Sequence, residues 1–538
     1  MAEIIDTKNT IVNKVFNFIT GKSNKKVEAL QNNNFGNILY STPYGGEKNI
    51  GEAGPVRNYN PMYEQLRARS WDAYLTNEVV QIIINKFSTW VIGKGLKLHS
   101  EPNKTLLKSE GVNIDANKFS ELVEARFETW IASDMCDFAG MKNLGMLENT
   151  AYKNVKVGGD CLVVLRVING CVKVQLIDGS HVRSPLGYGS EYFPQVLENG
   201  NRIINGIEFN SNGQHVAYYV WTDDPLNLLT SERVETRGKK SGLKMAFLLS
   251  GLEYRIHNVR SIPAISTTLE SLKKLERYKE ATLGSAEEKA KIAYTIQHKE
   301  FSTGETPLLQ NIVKARDVGS VGDPKIPRTD DGVILADKIA VTTNKQAWNM
   351  PVGSELKMHE SRGEIHFKDF YSVNFDLICA AFGAPPEVMA SKYDSNFSSA
   401  RAAIKDWEHT LNVERHNFSF QFMKPIYDLW LEVEILSFKI QAQGYLMARL
   451  TNNYMLVEGY RKARFVGANV PHIDPLKEAN AERVKLGEAL KNAPLTTVQQ
   501  ATENLNGGDS DANIEQVGAE LADIIKLGIT TDVKNVID

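Results

Sequence analysis

The chain has 538 residues, of which 42% are hydrophobic, and its formal net charge at pH 7 is -3. A chain of this length can bury a sizeable core and is expected to fold into about two to four lobes. The small negative charge excludes a polycationic protein that coats nucleic acid, although it is compatible with a channel that lets DNA pass.

The cysteines and the start of the chain favour a protein located inside the cell. None of the four cysteines forms a C-x-x-C pair, so we expect reduced core residues in a cytoplasmic setting. They are Cys136, Cys161, Cys171 and Cys379. Residues 1–26 lack the charged start and apolar run of a signal peptide, and the absence of a run of about 18 apolar residues argues against a membrane span. The sequence therefore predicts a soluble intracellular protein, or part of a particle assembled inside a cell.

The N-terminal part of the chain is predicted to begin with an arm and to continue into helices. Residues 4–19 have the apolar spacing of a short amphipathic helix. Residues 21–60 are rich in Asn, Gly, Lys and Ser, which is typical of a linker. Helical patterns then cover residues 60–90 and most of residues 117–157.

Two β-hairpins are predicted after these helices. Runs of Val, Leu and Ile over residues 158–182 flank Asn169-Gly170, a dipeptide that favours the type I′ turn. A second set of strand-like runs over residues 206–221 flanks Asn212-Gly213. The first 255 residues are therefore predicted to form a mixed α/β lobe.

Two long helices are predicted to flank a region of different character. Apolar residues recur at helical spacing over residues 261–297, which would span about 50 Å at 1.5 Å per residue, with Gly284 as the weak point. Residues 298–350 are punctuated by Pro, Gly and Asp and contain the strand-like run GVILADKIAV. Helical character returns over residues 354–382 and ends at Gly383, with two prolines beyond, which is a strong C-terminal signal.

A further long helix is predicted after a short polar loop. Asn396 or Ser398 is the predicted N-cap, and the helix is expected to run to about residue 440. Pro425 is expected to kink it, because proline removes a backbone donor and clashes with the preceding turn.

The C-terminal part is predicted to be an all-helical cap. Asp474 as N-cap and Pro475 at the first helical position form a helix start. Two shorter helical stretches are expected near residues 496–506 and 512–527.

The sequence offers no catalytic or metal-binding motif. Neither glycine-rich stretch, residues 44–54 or 92–97, meets the Walker A pattern that wraps phosphates, and no G-x-S-x-G elbow is present. His409 and His416 are seven residues apart without an acidic or histidine companion at metal-ligand spacing, which favours surface histidines. We therefore expect no catalytic residue, no metal and no cofactor.

Seven short motifs resemble those of one protein family and follow the same order. They are Arg67-x-Arg69, VIGKG at 91–95, VQLID at 174–178, GIEFNSNGQHVAYYV at 206–220, PVGSE at 351–355, GAPPEVMASKYDSNFSSARAA at 383–403 and IDPLKEANA at 473–481. Each motif alone is weak, but the ordered set is specific and covers roughly residues 60–510. On these residues the chain resembles the portal proteins of tailed bacteriophages, in their lambda-type branch.

The sequence departs from the family's pattern at two places. The family often has Gly-Glu where this chain has Gly159-Asp160, and Arg-Gly before the first long helix where this chain has Arg260-Ser261. These departures argue against a close relationship within the family and leave the resemblance itself intact.

The resemblance implies a fold class and a role. Portal proteins have an α+β fold and form rings, usually of twelve subunits, at one vertex of the capsid. A separate terminase motor drives DNA through the central channel during packaging, and the genome leaves by the same channel. The resemblance therefore implies a non-enzymatic homo-oligomer in the virion, assembled in the host cytoplasm, without a cofactor. Its implied partners are double-stranded DNA, the terminase large subunit, the major capsid protein and a head-completion or adaptor protein.

The resemblance also implies a division of the chain into an arm, a wing, a stem, a clip and a crown. The expected segments are 1–59 (arm or linker), 60–260 (first part of the wing), 261–297 (first stem helix), 298–350 (small α/β clip), 351–384 (second stem helix), 385–399 (tunnel loop), 400–470 (second part of the wing) and 471–538 (helical crown).

In this family the loop between the second stem helix and the next wing helix projects into the channel. By resemblance, the residues facing DNA here are Lys392, Tyr393, Asp394, Ser395, Asn396, Phe397, Ser398 and Arg401. Polar side chains offer weak, replaceable hydrogen bonds, and a lysine repeated around a ring would face a duplex with one negative charge per about 1.7 Å. Simpler roles stay open, in which Ser398 and Arg401 cap and anchor a helix and Phe397 packs in the interior.

Two other classes of protein remain as alternatives. Asp160, Asp178 and Glu208 are predicted near strand ends, and clustered carboxylates are what a metal-dependent nucleic-acid-processing enzyme needs. A head-tail adaptor or minor capsid protein is the other alternative, and the chain length and the helix-tip-helix pattern disfavour it.

Overall fold

The protein is seen in a computed structural model that describes most of the chain after residue 62. The described residues are 63–185, 195–221, 231–239, 241–251, 259–296, 337–342, 345–349, 367–392, 397–467, 475–487, 495–506 and parts of 510–521. The chain divides into one unit of Met1–Glu270 with Cys379–Asp538 and a second unit of Ser271–Ile378. The described elements mix helices with largely antiparallel sheets, which agrees with the predicted α+β class. The predicted arm and its short helix lie outside the described residues.

Five helices and one strand open the larger unit. They are α1 (Tyr63–Thr76), α2 (Glu78–Val91), β1 (Lys97–Ser100), α3 (Lys104–Ser109), α4 (Ala116–Ala132) and α5 (Leu144–Gly158). The helix predicted over residues 60–90 is therefore two helices. Asn77 separates them, because its side chain accepts a hydrogen bond from Val79 N and so caps the start of α2.

Eight strands follow and form two antiparallel sheets. They are β2 (Asp160–Ile168), β3 (Cys171–Asp178), β4 (Gln195–Val196), β5 (Arg202–Ile204), β6 (Ile207–Phe209), β7 (His215–Trp221), β8 (Ser231–Glu235) and β9 (Ala246–Ser250). One sheet has the order β3-β2-β9 and the other the order β4-β5-β6-β7-β8. A cluster of buried side chains from both sheets, including Leu162, Ile207, Tyr218 and Ala246, forms their common core.

Both predicted hairpins are present, with different turns. Ile168 pairs with Cys171, and the two residues between them have φ values of 53° and 73°, which confirms the type I′ turn at Asn169-Gly170. The second hairpin pairs Phe209 with His215 and therefore has a wider loop than the predicted two-residue turn. The side chain of Asn210 stabilises that loop by accepting hydrogen bonds from the backbone of residues 212 and 214.

The smaller unit holds most of two long helices and a small sheet. The first helix, α6 (Leu269–Lys291), is shorter than the predicted span of 261–297. A 3₁₀ turn precedes it, and the β-branched and aromatic run after Lys291 forms β10 (Ile292–Ile296), because pairing with a neighbouring strand overrides the helical pattern. Gly284 lies inside α6 without interrupting it. The 23 residues of α6 span about 34 Å.

The described part of the region between the helices is a three-stranded sheet. Strands β11 (Asp337–Thr342) and β12 (Lys345–Asn349) pair antiparallel, and β10 pairs parallel with β12. The second helix, α7 (Phe367–Ala381), follows, and the rest of its predicted span before residue 367 lies outside the described residues. Tyr278 of α6 packs against Phe370 of α7 with ring centroids 4.3 Å apart, so the two helices lie side by side.

The remaining helices return to the larger unit. They are α8 (Pro386–Ala390), α9 (Phe397–Phe418), α10 (Lys424–Leu436), α11 (Tyr445–Leu450), α12 (Tyr454–Arg461), α13 (Pro475–Leu486) and α14 (Val498–Asn506), with the strand β13 (Ala463–Val466) between α12 and α13 pairing with β1. A π-helical segment, Ser419–Met423, joins α9 to α10. This π-helical segment ends just before Pro425, where a kink was predicted. The helix widens locally at this point, which accommodates the backbone N–H that proline lacks.

The C-terminal helices agree with the sequence where they are described. Pro475 occupies the first position of α13 as predicted, whereas its predicted cap Asp474 lies outside the described residues. The stretch predicted over residues 496–506 forms α14, and the next one is described only in part. Among the residues that the structure describes, no helix has the length and apolar character needed to cross a lipid bilayer.

Candidate functional site: the segment after α7

The segment that follows α7 begins with a sharp, well-defined helix end. Gly383 has φ +67°, and its N–H bonds to the carbonyl of Ala380 at 2.9 Å. The next N–H, that of Ala384, reaches back to the carbonyl of Cys379 at 3.0 Å. This left-handed glycine with two reaching-back hydrogen bonds is the C-terminal cap that the Gly-Ala-Pro-Pro sequence predicted.

A single helical turn, α8, carries the chain from this cap to the predicted tunnel loop. Pro386 is its first residue, where the missing proline N–H costs nothing. Ser391 ends α8 in the left-handed region with φ 54°, a conformation that costs a non-glycine residue roughly 1–2 kcal/mol. The N–H of Lys392 bonds back to the carbonyl of Glu387 at 3.0 Å and closes the turn. The loop therefore leaves α8 at a residue with a strained backbone conformation, which contacts from a neighbouring element must stabilise.

Lys86 of α2 supplies that support. Its Nζ donates to the carbonyl of Val388 at 3.0 Å and to Oγ of Ser391 at 2.7 Å. The first bond satisfies a carbonyl at the end of α8, and the second holds the left-handed serine itself. Because α2 is packed into the core along one face, the beginning of the loop is fixed to a rigid element.

The end of the loop is fixed to the same helix by α9. Trp407 is only 1% exposed and makes edge contacts with Phe87 and Trp90 of α2, at ring-centroid distances of 6.1 and 5.9 Å. Further along α9, Arg415 donates from Nε to the carbonyl of Val91 at 3.1 Å and from Nη2 to that of Trp90 at 2.9 Å. The guanidinium thereby caps the C-terminal end of α2. One helix, α2, therefore contacts both α8, before the predicted loop, and α9, after it.

The structure places the eight predicted loop residues in three groups. Lys392 is exposed at the end of the α8 turn. Four residues, Tyr393, Asp394, Ser395 and Asn396, lie outside the described part of the chain. Three residues, Phe397, Ser398 and Arg401, belong to the first turns of α9, and their side chains lie outside the description. Of the two predicted N-cap residues, Asn396 directly precedes α9, which starts at Phe397, whereas Ser398 lies inside the helix and is a wrong prediction.

A second cluster gathers motif residues that are far apart in the sequence. Asp160, at the start of β2, is fully buried, and both of its carboxylate oxygens accept from Arg260, at 2.6 Å from Nε and 2.8 Å from Nη2. Arg67 of α1 donates to the same carboxylate at 2.9 Å and to Asp178 at 3.0 Å. Tyr63 adds a hydroxyl hydrogen bond at 2.6 Å. We call these five residues the arginine node.

Charge and close packing define the arginine node. Burial alone would raise the pKa of Asp160, but the two guanidinium groups and their hydrogen bonds hold the pKa below its usual value. Arg260 also donates to the carbonyls of Gly179 and Val182, so its donors are shared among several elements. A Cβ on Gly179 would lie 1.9 Å from a carboxylate oxygen of Asp160, which explains why glycine follows the VQLID motif.

The arginine node contacts the segment that precedes the first long helix. Arg260 and Ser261 precede the 3₁₀ turn that leads into α6, and a Cβ on Gly159 would lie 2.6 Å from the carbonyl of Ser261. The two places where the sequence departs from the family's pattern therefore meet in one contact. Arg67, Asp178 and Arg260 lie in separate stretches of the sequence, and no local pattern indicates that both arginines contact Asp160 while Asp178 pairs with Arg67.

The carboxylates proposed for a metal-dependent enzyme are occupied by protein donors. Asp160 and Asp178 share Arg67, as described above. Glu208 is buried and accepts from Arg233 at 2.7 Å and from Asn201 at 2.6 Å, and these bonds, against the effect of burial, keep its pKa low. Within the described residues no group of three His, Cys, Asp or Glu side chains is placed to hold a metal ion. The described chain thus gives the nuclease alternative no assembled site.

Lys86 and Arg415 are the functional residues that sequence reasoning missed. Each lies on a helix face with ordinary charged neighbours, and each contacts a segment about 300 residues away, at sequence separations of 302 and 324. A single sequence contains no local signal for such contacts.

The family model described as phage portal protein, lambda family, matches residues 46–415, which is more than half of the chain. The chain therefore belongs to the lambda family of phage portal proteins. Members of this structural family stand at a vertex of the virion capsid, and the predicted resemblance is confirmed.

Comparisons with curated proteins and with solved structures do not strengthen the family assignment. No curated protein matches the chain. Among solved structures, the virion of a native gene transfer agent particle and the neck of an empty particle, computed with C6 symmetry, each match with 10% identity and a TM-score of 0.38, covering 82% of this chain and 93% of theirs. The neck of a native particle computed with C12 symmetry matches with 10% identity and a TM-score of 0.31, covering 77% and 96%. With TM-scores this low, the family assignment depends on the family model alone.

Proposed function

We propose that this portal protein closes into a ring, of twelve copies as is usual in its family, through which double-stranded DNA enters and leaves the capsid. In this proposal residues 385–399, which include α8 and the first residues of α9, contain the tunnel loop that approaches the DNA. The observation that supports the proposal is that α2 contacts the chain on both sides of the loop, through Lys86 at Val388 and Ser391 and through the ring contacts of Trp407 on α9. A short loop between two helices that pack on one core helix is suited to keep a constant position while DNA slides past.

The division of the chain follows the same proposal. Helices α6 and α7 are the stem, and the small sheet β10-β12-β11 belongs to the clip at its tip. The two antiparallel sheets with α1–α5 and α9–α12 are the wing, and α13 and α14 belong to the crown. The side-by-side packing of α6 and α7 through Tyr278 and Phe370 supports the assignment of these helices to one stem.

The charge of the tunnel loop is proposed to be nearly balanced. Lys392 is exposed, and Asp394 follows two residues later in the sequence. In a ring of about twelve copies, the lysines would face a duplex with one negative charge per about 1.7 Å. Tight phosphate binding would stall translocation, so we infer that the aspartate offsets the lysine and leaves only weak, replaceable contacts.

Reversal of the lysine charge tests this role. Lys392→Glu would change the charge of a ring of about twelve copies by about 24 units and repel the DNA. We expect shorter packaged DNA and poorer retention, measured as the length of nuclease-protected genome in assembled particles. Lys118→Glu on α4, where the lysine side chain is 82% exposed, is the matched control. Unchanged length and retention in the Lys392 variant would dismiss the role of the lysine.

The proposed partners are the terminase large subunit and a head-completion or adaptor protein at the clip, and the major capsid protein around the ring. Assembly in the host cytoplasm and the lack of a catalytic activity of its own are part of the same proposal. Electron microscopy of the purified protein tests its basis: we expect rings with a central hole and a countable symmetry. A monomer under every assembly condition would contradict it.

A further inference from the structure

A cavity on the five-stranded sheet has no role in the function proposed above. Its volume is about 780 Å³, which falls within the roughly 300–1,000 Å³ typical of ligand pockets, and it shares no residue with the arginine node or the tunnel loop. Strands β7 and β8 and the hairpin that leads to β9 form its walls. We call it the β8 cavity, and its lining includes His215, Arg237, Lys239, Lys244 and Phe247.

Two cationic residues in the lining of the β8 cavity, Arg237 and Lys244, lie opposite each other on paired backbone segments. Arg237 and Lys244 are direct partners in an antiparallel bridge, and like charges opposite each other on paired strands destabilise the pairing. Partial burial and the nearby Arg237 lower the pKa of Lys244, and Asp428 acts in the opposite direction. The pair therefore costs stability unless an anion lies between the two groups.

The other charged groups of the cavity are already paired. Glu235 is in contact with both Lys239, at 3.1 Å, and Arg233, at 3.0 Å. By contrast, Arg237 donates to the carbonyl of Gly242 at 3.0 Å, and the ammonium of Lys244 lies 4.9 Å from the ring centroid of Phe247. Neither of these two cations has an ion pair with a carboxylate among the residues that the structure describes. Asp428 is the acidic group that acts on Lys244, and it is already paired with Lys424. The cavity thus presents two cations that have no ion pair of their own among the described residues, beside one aromatic ring.

The lining also distinguishes between possible anions. Apolar and aromatic side chains, among them Val216, Tyr218 and Phe247, lie next to the two cations. A phosphodiester backbone would use only the charges, and a duplex is too wide for a cavity of about 780 Å³. A peptide with acidic and aliphatic side chains would use both parts of the lining, since specificity in peptide recognition comes from pockets for individual side chains.

We propose that the β8 cavity is a docking site for an acidic peptide segment of a partner protein, with a carboxylate of that segment between Arg237 and Lys244. The charge complementarity of this pair and the apolar lining beside it select the occupant. The contact would offset the repulsion between the two cations, so the peptide and the cavity would stabilise each other. The site is independent of the DNA channel.

Binding of a defined probe to the purified full chain tests the proposal. The probe is a fluorescein-labelled peptide of about twelve residues that alternates Asp or Glu with Leu, and binding is measured by fluorescence anisotropy. We expect saturable binding that weakens at least tenfold in the double variant Arg237→Gln with Lys244→Gln. Lys118→Gln, at an exposed position on α4, should bind the probe like the wild type. Equal binding by the double variant would overturn the proposal.

Two further measurements separate the alternatives. An oligothymidylate of about twelve nucleotides should bind more weakly than the peptide and be unaffected by the double variant; tighter binding that the double variant abolishes would make this a nucleic-acid site instead. Because the double substitution removes a like-charge pair, the melting temperature should stay unchanged or rise. A clearly lower melting temperature would show that Arg237 and Lys244 stabilise the fold without a ligand, and that result also overturns the proposal.

Discussion

Replacement of Lys86 by alanine should loosen the start of the tunnel loop without unfolding the protein. The substitution removes two hydrogen bonds from the ammonium group, to Val388 O and Ser391 Oγ. Each is worth about 1 kcal/mol net, so local opening should become easier by about 1–2 kcal/mol. That change raises the open population about 5- to 30-fold. Hydrogen exchange followed by mass spectrometry should show it as faster exchange in the peptide that covers residues 386–396.

Matched variants make this prediction refutable. Lys405→Ala on α9 removes an exposed lysine that, among the described residues, bonds to Glu408 in its own helix, so exchange near residue 391 should not change. The double variant Lys86→Ala with Ser391→Ala should be less destabilised than the sum of the single variants, because both remove the same hydrogen bond. If Lys86→Ala leaves exchange at residues 386–396 unchanged, α2 does not hold the loop and the reasoning behind the proposed function fails.

Three further predictions concern buried side chains of the larger unit. Arg260→Leu leaves the buried charge of Asp160 without its main partner, and thermal unfolding should report a loss of about 3–5 kcal/mol. Trp407→Ala should cost about 3–5 kcal/mol in denaturant titration, and Trp407→Phe much less. Glu148 of α5 is buried and accepts a hydrogen bond from the N–H of Leu96 at 2.9 Å. Burial raises its pKa to about 8, so its contribution to stability should fall by a few kcal/mol as pH rises from about 4 to about 8, and Glu148→Gln should remove this slope in melting curves. An equal slope in both proteins would contradict the last prediction.

Much of the local structure could be predicted from the sequence. The Asn169-Gly170 turn, the helix end at Gly383 and the start of α13 at Pro475 all depend on the backbone preferences of one or two residues. The family assignment was equally accessible, because ordered short motifs survive where overall identity does not. The C-terminal end of α6 could not be predicted from the sequence, because the residues after Lys291 fit a helix or a strand equally well until a partner strand is known.

The sequence by itself determined which residues turn, cap and end the elements, and to which family the chain belongs. Only the tertiary structure decided that Lys86 and Trp407 bind the two ends of the loop to α2, and that Asp160 gathers Arg67 and Arg260. The physical reason is that the two kinds of interaction act over different sequence separations. Backbone preferences act over a few neighbouring residues, whereas a buried ion pair or a lysine anchor exists only when segments about 100 to 300 residues apart are brought within 3 Å.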